Sequence, residues 1–217
     1  IMHNTIKNLI YIEELIKSKA NHNELAKIIA VSKTFSIENI LPLIEHGHLD
    51  YGENKVQEAL EKWTDIKNKN NNIQLHLIGK LQTNKVKFAL KIFDYIHSLD
   101  SEKLANKIAD EQQKYKKKPK IFIQVNVGNE DQKSGIDKRN LNDFYKFCKN
   151  LNLDIIGTMC IPPNNSNTEK YFSEMNDLNK ELNFKELSMG MSGDYLEAIK
   201  YNATYIRIGS KIFGSRT

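Results

Sequence analysis

The chain has 217 residues, 40% apolar and 27% charged, the balance of an ordinary soluble globular protein of one large or two small domains. Its net charge is +5, but nearly all the basic residues are lysines scattered among asparagines, and only Arg139, Arg207 and Arg216 are arginines. The densest basic run, 114–120, falls where a helix is expected to end and suits the helix dipole, so no nucleic-acid partner is expected.

No stretch has the pattern of a membrane span or a signal peptide, which makes the cytosol the expected location and a membrane partner unexpected. Cys148 and Cys160 lack CxxC spacing and read as reduced, packed thiols. Ile1 ahead of Met2 reads as a cloning remnant, leaving 2–217 as one domain.

Residues 2–20 carry Ile6, Leu9, Ile10, Ile12, Leu15 and Ile16 at helical spacing, which predicts an opening amphipathic helix. The run 27–32 is a buried strand that ends on Lys33. Ser36 is placed to cap the next helix, which Gly47 stops; a short strand at 49–51 and a helix from the 52–54 turn to about Lys67 follow. Strands are then expected at 74–78, 95–98, 120–127, 153–160, 185–189 and 204–208. Between them fall helices at 83–91, from Ser101 onward, and at 138–150, 167–182 and 194–202. A final helical turn opens at Ser210. Eight strands, each parted from the next by a helix, predict an α/β fold with a parallel sheet, and at this length a single-domain (β/α)8 TIM barrel. An open doubly wound sheet is the alternative, but no GxGxxG follows the first strand.

In a barrel, the residues just past each strand share one site. Those residues are rich in Gly, Ser and Asn and poor in carboxylates, and no His/Cys/Asp cluster converges as a metal site requires. His76 reads as a core histidine, and His97 has no evident partner. The segment 188–192 (SMGMS) and the pair Gly209 and Ser210 follow strands seven and eight, where TIM barrels hold phosphate; ordinary turns are the competing reading. Lys33 stands on strand one, which neighbours strand eight across the closure. A lysine beside apolar walls can act as a Schiff-base nucleophile, although strand-end lysines also simply reach solvent. Taken together, these features suggest a phosphate-bearing aldehyde held by an imine, and pyridoxal 5′-phosphate is that ligand. Arg207, between Ile206 and Ile208, would then face the pyridine nitrogen and keep it unprotonated, because a guanidinium only donates. The alternative for Arg207 is a barrel-end salt bridge.

Six motifs carry a resemblance: AVSK at 30–33, YGENKVQE at 51–58, HLIGKLQTNK at 76–85, QVN at 124–126 with KSG at 133–135, LSMGMS at 187–192, and RIGSKIFG at 207–214. In order and without large gaps from about 5 to 216, they resemble the pyridoxal-phosphate homeostasis family, also called YggS-like or proline synthase co-transcribed. The resemblance implies a barrel similar to the alanine racemase N-terminal domain. In it Lys33 matches the lysine of the internal aldimine and Arg207 the arginine facing the pyridine nitrogen. Ser192, Gly209 and Ser210 match the phosphate-binding positions, Asn54 an asparagine lining the ring, and Met189 is an expected neighbour in the pocket. Two residues depart from the family pattern: Lys80 stands where proline is common, and Gly193 where an acidic residue is.

The expected function is to hold pyridoxal phosphate on Lys33 and to buffer or deliver it, with effects on amino-acid and keto-acid balance. Enzymes lacking their pyridoxal phosphate are the expected recipients, and a monomer the expected state. An amino-acid racemase is the rival reading. It needs an acid/base on the opposite face of the cofactor, and Tyr51, the candidate within the barrel, reads as structural. A Schiff-base aldolase lacks the neighbouring carboxylate and second lysine it would want.

Overall fold

The computed structural model describes residues 2–19, 25–131, 133–164 and 167–215. Its chain opens with α1 (Asn4–Lys19), β1 (Lys27–Val31), α2 (Ile37–Glu45), β2 (Asp50–Glu53), α3 (Val56–Lys69) and β3 (Gln74–Leu77). The middle runs through α4 (Val86–Ile92), β4 (Tyr95–Leu99), α5 (Glu102–Tyr115), β5 (Lys120–Gln124), α6 (Leu141–Asn150) and β6 (Asp154–Met159). It closes with α7 (Thr168–Glu181), β7 (Glu186–Met191), α8 (Tyr195–Lys200), β8 (Tyr205–Ile208) and the short α9 (Ser210–Phe213). The eight strands form a closed parallel barrel in sequence order, with β1 hydrogen-bonded to both β2 and β8. The expected TIM barrel is therefore the fold. No helix among the described residues is long and apolar enough to cross a membrane.

Closure divides the apolar residues into two layers. The larger lies between sheet and helices, where Leu9, Ile12 and Ile16 of α1 meet alternate strand residues such as Ile28 and Ala30. The smaller fills the barrel interior with Ile29, Tyr95, Phe122, Met159 and Tyr205. The period of two along β1 thus sends Ile28 and Ala30 outward and Ile29 inward.

Strand ends differ from the expected ones where backbone pairing, which periodicity does not reveal, continues or breaks. β2 runs from Asp50 to Glu53 instead of 49–51, because its ladder with β3 continues through Gly52–His76 and Glu53–Leu77. β7 continues to Met191, with a register shift against β8 between Ser188 and Met191. β5 instead stops at Gln124, and Val125 makes an isolated bridge to Ile136. Single 3-10 turns at Thr83–Lys85 and Lys138–Asn140 lead into α4 and α6. Ser101 caps α5 by accepting the Leu104 N–H, as its position predicts. Ser36 occupies the cap position of α2 without capping it; its hydroxyl accepts from the Asn39 side chain instead. Ala20 and Arg216 lie outside the described residues.

Candidate functional site

At the carboxyl ends of the strands a cavity of about 560 Å³ opens, within the usual range for a small-molecule site. Lys33 enters it from the turn after β1, Asn54 from the end of β2, Arg207 from β8, and Ser192, Gly209 and Ser210 from the two last loops. Val31, Ile78, Ile161 and Met191 supply apolar walls, the last two 40% exposed at the rim. Six of the seven residues expected at a cofactor site therefore line one cavity.

Met189 is the exception. It is fully buried in the layer between sheet and helices, and Met191 lines the cavity in its stead. Strand alternation sends Ser188 inward and Met189 outward, and the register shift brings Met191 to the rim. Ser188 does not join the phosphate-side loop either, since its hydroxyl is committed within the barrel. Gly190 serves packing: its φ is +97°, and a Cβ there would lie 2.7 Å from the Ala198 Cβ on α8. The loop beyond it is held by Asp194, whose carboxylate accepts the Met191 N–H at 2.7 Å. Gly79 permits another close approach, because a Cβ there would come within 2.4 Å of the Asn54 carbonyl oxygen.

Arg207 is 3% exposed. Its Nη1 donates to Ser188 Oγ at 2.7 Å and its Nη2 to the Cys160 carbonyl at 2.9 Å. No ion pair among the described residues involves it, so the salt-bridge alternative does not describe its surroundings. Burial lowers its pKa from the ordinary arginine value, with Cys160 and Asp194 pulling the other way, and a guanidinium stays charged throughout. The Cys160 thiol itself is pushed up to about 12 by burial and stays protonated; both cysteines are free and buried.

From Ser188 the hydrogen bonds continue down the barrel. Ser188 Oγ lies 2.8 Å from His97 Nδ1, His97 Nε2 lies 2.9 Å from His76 Nδ1, and His76 Nε2 lies 2.8 Å from Asp50 Oδ1. Because Arg207 can only donate, the Ser188 oxygen accepts from it and donates its own O–H to His97 Nδ1. His97 then donates from Nε2 to His76, and His76 donates from Nε2 to the Asp50 carboxylate. Each imidazole is neutral in this scheme. Burial, His76 and Arg207 hold His97 well below the ordinary histidine value; burial also lowers His76, against the pull of Asp50. The rings stack on Phe122 and Tyr95, which fixes their planes. His97, which has no evident partner in the sequence, is thus the middle of a relay. Tyr51 is fully buried against Trp63 in the outer layer, in keeping with a structural role.

Two sets of residues escaped the sequence reading. The relay left one partial signal, His76 standing between Leu75 and Leu77 in β3; its partners Asp50, His97 and Ser188 come from three other strands. The second set, Glu53, Glu58 and Lys62 behind the Lys33 turn, lay unremarked within and just beyond the YGENKVQE segment. Among the described residues, no group of three or more His, Cys, Asp or Glu could hold a metal ion.

The alanine racemase N-terminal domain family matches residues 11–217. A pyridoxal phosphate homeostasis protein of Pasteurella multocida is 35% identical over 216 residues, covering 94% of this chain and 93% of that protein. One of Aquifex aeolicus is 39% identical over 201 residues, 88% of this chain and 87% of that protein. The structure of PipY from Synechococcus elongatus with PLP bound superposes with a TM-score of 0.86 at 30% identity, covering 97% of this chain and all of that one. With the cavity, its residues and these likenesses together, the chain belongs to the pyridoxal phosphate homeostasis protein family, built on the alanine racemase N-terminal fold.

Proposed function

We propose that the protein binds pyridoxal 5′-phosphate in the cavity between Lys33 and Arg207, holds it covalently, and buffers or delivers it. One observation carries the reading: an amine, a buried guanidinium with no ion-pair partner among the described residues, and a loop pair bearing two hydroxyls and two glycines all line one cavity. When bound, the cofactor would supply an aldehyde, and Lys33 would offer the amine able to take it up with loss of water. Arg207 offers a donor that cannot take up a proton, which suits a ring nitrogen kept unprotonated. Ser192, Gly209 and Ser210 receive the phosphate with hydroxyl and backbone donors. Asn54 would lie along the ring, and Val31 and Ile78, which line the same cavity, would exclude water. In this reading the protein works in the cytosol as a monomer, the recipients are enzymes lacking their cofactor, and supply to them affects amino-acid and keto-acid balance.

Visible absorption of the purified protein with added pyridoxal phosphate tests the proposal, wild type beside Lys33→Ala, followed by borohydride reduction and peptide mapping. The expected result is a Lys33-dependent band and a reduced pyridoxyl group on the peptide that contains Lys33. A wild type without that band, or with the group elsewhere, overturns it.

A further inference from the structure

Lys33 sits between Ser32, which is fully buried, and Thr34, whose φ of +68° places a β-branched residue in the left-handed region. Such a conformation persists only where its surroundings impose it. Side chains from β2 and α3 grip both neighbours of the lysine. The Ser32 hydroxyl donates to Glu53 Oε1 at 2.8 Å, and its carbonyl accepts from Lys62 Nζ at 2.8 Å. The Thr34 N–H donates to Glu58 Oε1 at 2.6 Å. Lys62 Nζ also lies 2.8 Å from Glu53 Oε1 and 3.1 Å from Glu58 Oε1, so one ammonium ties the two carboxylates together.

This is unlike an exposed ion pair, which contributes little. The Lys62 side chain is 10% exposed and that of Glu53 not at all, and Trp63 Nε1 adds a further donor to Glu53 at 2.8 Å. The spacing explains the arrangement: Glu58 and Lys62 are one helical turn apart on α3, with the acid N-terminal to the base. None of the three charged residues lines the cavity. Whatever they do for the site passes through the backbone of the turn.

We infer that Glu58, Lys62 and Glu53 are positioning residues that lock the Ser32–Thr34 turn and so aim the Lys33 amine into the cavity. The inference rests on the reading of Lys33 as the cofactor's anchor. Of the three, Glu58 is decisive, because its hydrogen bond holds the strained residue. The Phe35 N–H closes the same turn on the Ser32 carbonyl at 3.1 Å. What the loss of Glu58 frees is therefore Thr34 itself, which moves toward negative φ and takes the lysine's backbone with it. A glycine at 34 has no Cβ to oppose φ of +68°, so it keeps the turn without the carboxylate.

The test compares wild type, Glu58→Gln, Glu58→Ala, Thr34→Gly and the Glu58→Ala/Thr34→Gly double variant, with Lys33→Ala as control. Pyridoxal phosphate is titrated into each, and amide hydrogen exchange at Thr34 is measured in the cofactor-free protein. Glu58→Ala is expected to weaken cofactor retention about tenfold, equivalent to about 1.4 kcal/mol, and to speed Thr34 exchange, while the melting temperature changes by only a few degrees. Glu58→Gln, which keeps an acceptor, and Thr34→Gly alone stay close to wild type. The double variant recovers most of the loss, which a merely structural part for Glu58 does not allow. Unchanged retention and exchange in Glu58→Ala, or a double variant no better than Glu58→Ala, overturns the inference while a Lys33-dependent band in wild type leaves the cofactor reading standing. A wild type with no such band overturns the cofactor reading and this inference with it.

Discussion

Ser188→Ala removes a single oxygen from the middle of the barrel, and the relay predicts a large effect for so small a change. Ser188 and His97 are fully buried and Arg207 nearly so. Without the hydroxyl, His97 Nδ1 loses its donor and Arg207 Nη1 loses its acceptor. An orphaned buried polar group costs about 1–3 kcal/mol, and a charged one more, so the pair together should cost about 3–5 kcal/mol. Against a total stability of about 5–15 kcal/mol this is a substantial share. Urea unfolding of the cofactor-free protein measures it, with a midpoint lowered by about 1 M or more at an unchanged slope. In a His97→Phe background the same substitution should cost at least about 1 kcal/mol less, since the acceptor is already gone. A loss below about 1 kcal/mol in wild type, or full additivity with His97→Phe, refutes the relay as drawn.

Stability should fall as the solution is acidified. His48, His76 and His97 all have folded pKa values below the ordinary 6.5, chiefly through burial, so the unfolded chain takes up their protons first. Their contribution is complete above about pH 7 and is lost as pH drops through 6.5, at up to about 1.4 kcal/mol per pH unit for each histidine; His97→Gln should flatten the slope between pH 6.5 and 5 by about one proton. Gly79→Ala, whose Cβ would strike the Asn54 backbone, should destabilise by about 1–3 kcal/mol and weaken cofactor binding, read by melting and by the visible band. Met189→Ala should cost about 2–5 kcal/mol in urea unfolding and Met191→Ala less than about 0.5, which separates the buried from the rim methionine.

The barrel was legible because each βα unit announces itself by a change of period, and eight such units leave few other architectures. Six cavity residues were legible for a related reason: the fold rule that gathers strand ends turns sequence positions into one place. Met189 failed because that rule fixes the loop and not the facing of a side chain, and a register shift at Ser188 decided the facing. The full relay could not be read because its link from His97 to Ser188 spans 91 residues of sequence and crosses the barrel interior from β4 to β7, a meeting that only the closed barrel creates. Glu58 was hidden differently. Its partner is a backbone N–H, and nothing in a side-chain pattern says that Thr34 adopts a positive φ.

The relay also bears on what the site can do with the cofactor proposed for it. A buried cation ordinarily needs an adjacent carboxylate, and such a partner would draw the guanidinium away from the cavity. Here the nearest carboxylate along the hydrogen bonds is Asp50, three neutral groups away at the other end of the barrel. Each intervening group turns its acceptor toward Arg207 and its donor toward Asp50, so aligned dipoles compensate the charge together with the field of Asp194. The guanidinium is thereby fixed in orientation without being neutralised at close range. In the reading proposed above, a ring nitrogen set against it would meet a donor that gives up no proton, and Arg207 would leave that nitrogen unprotonated.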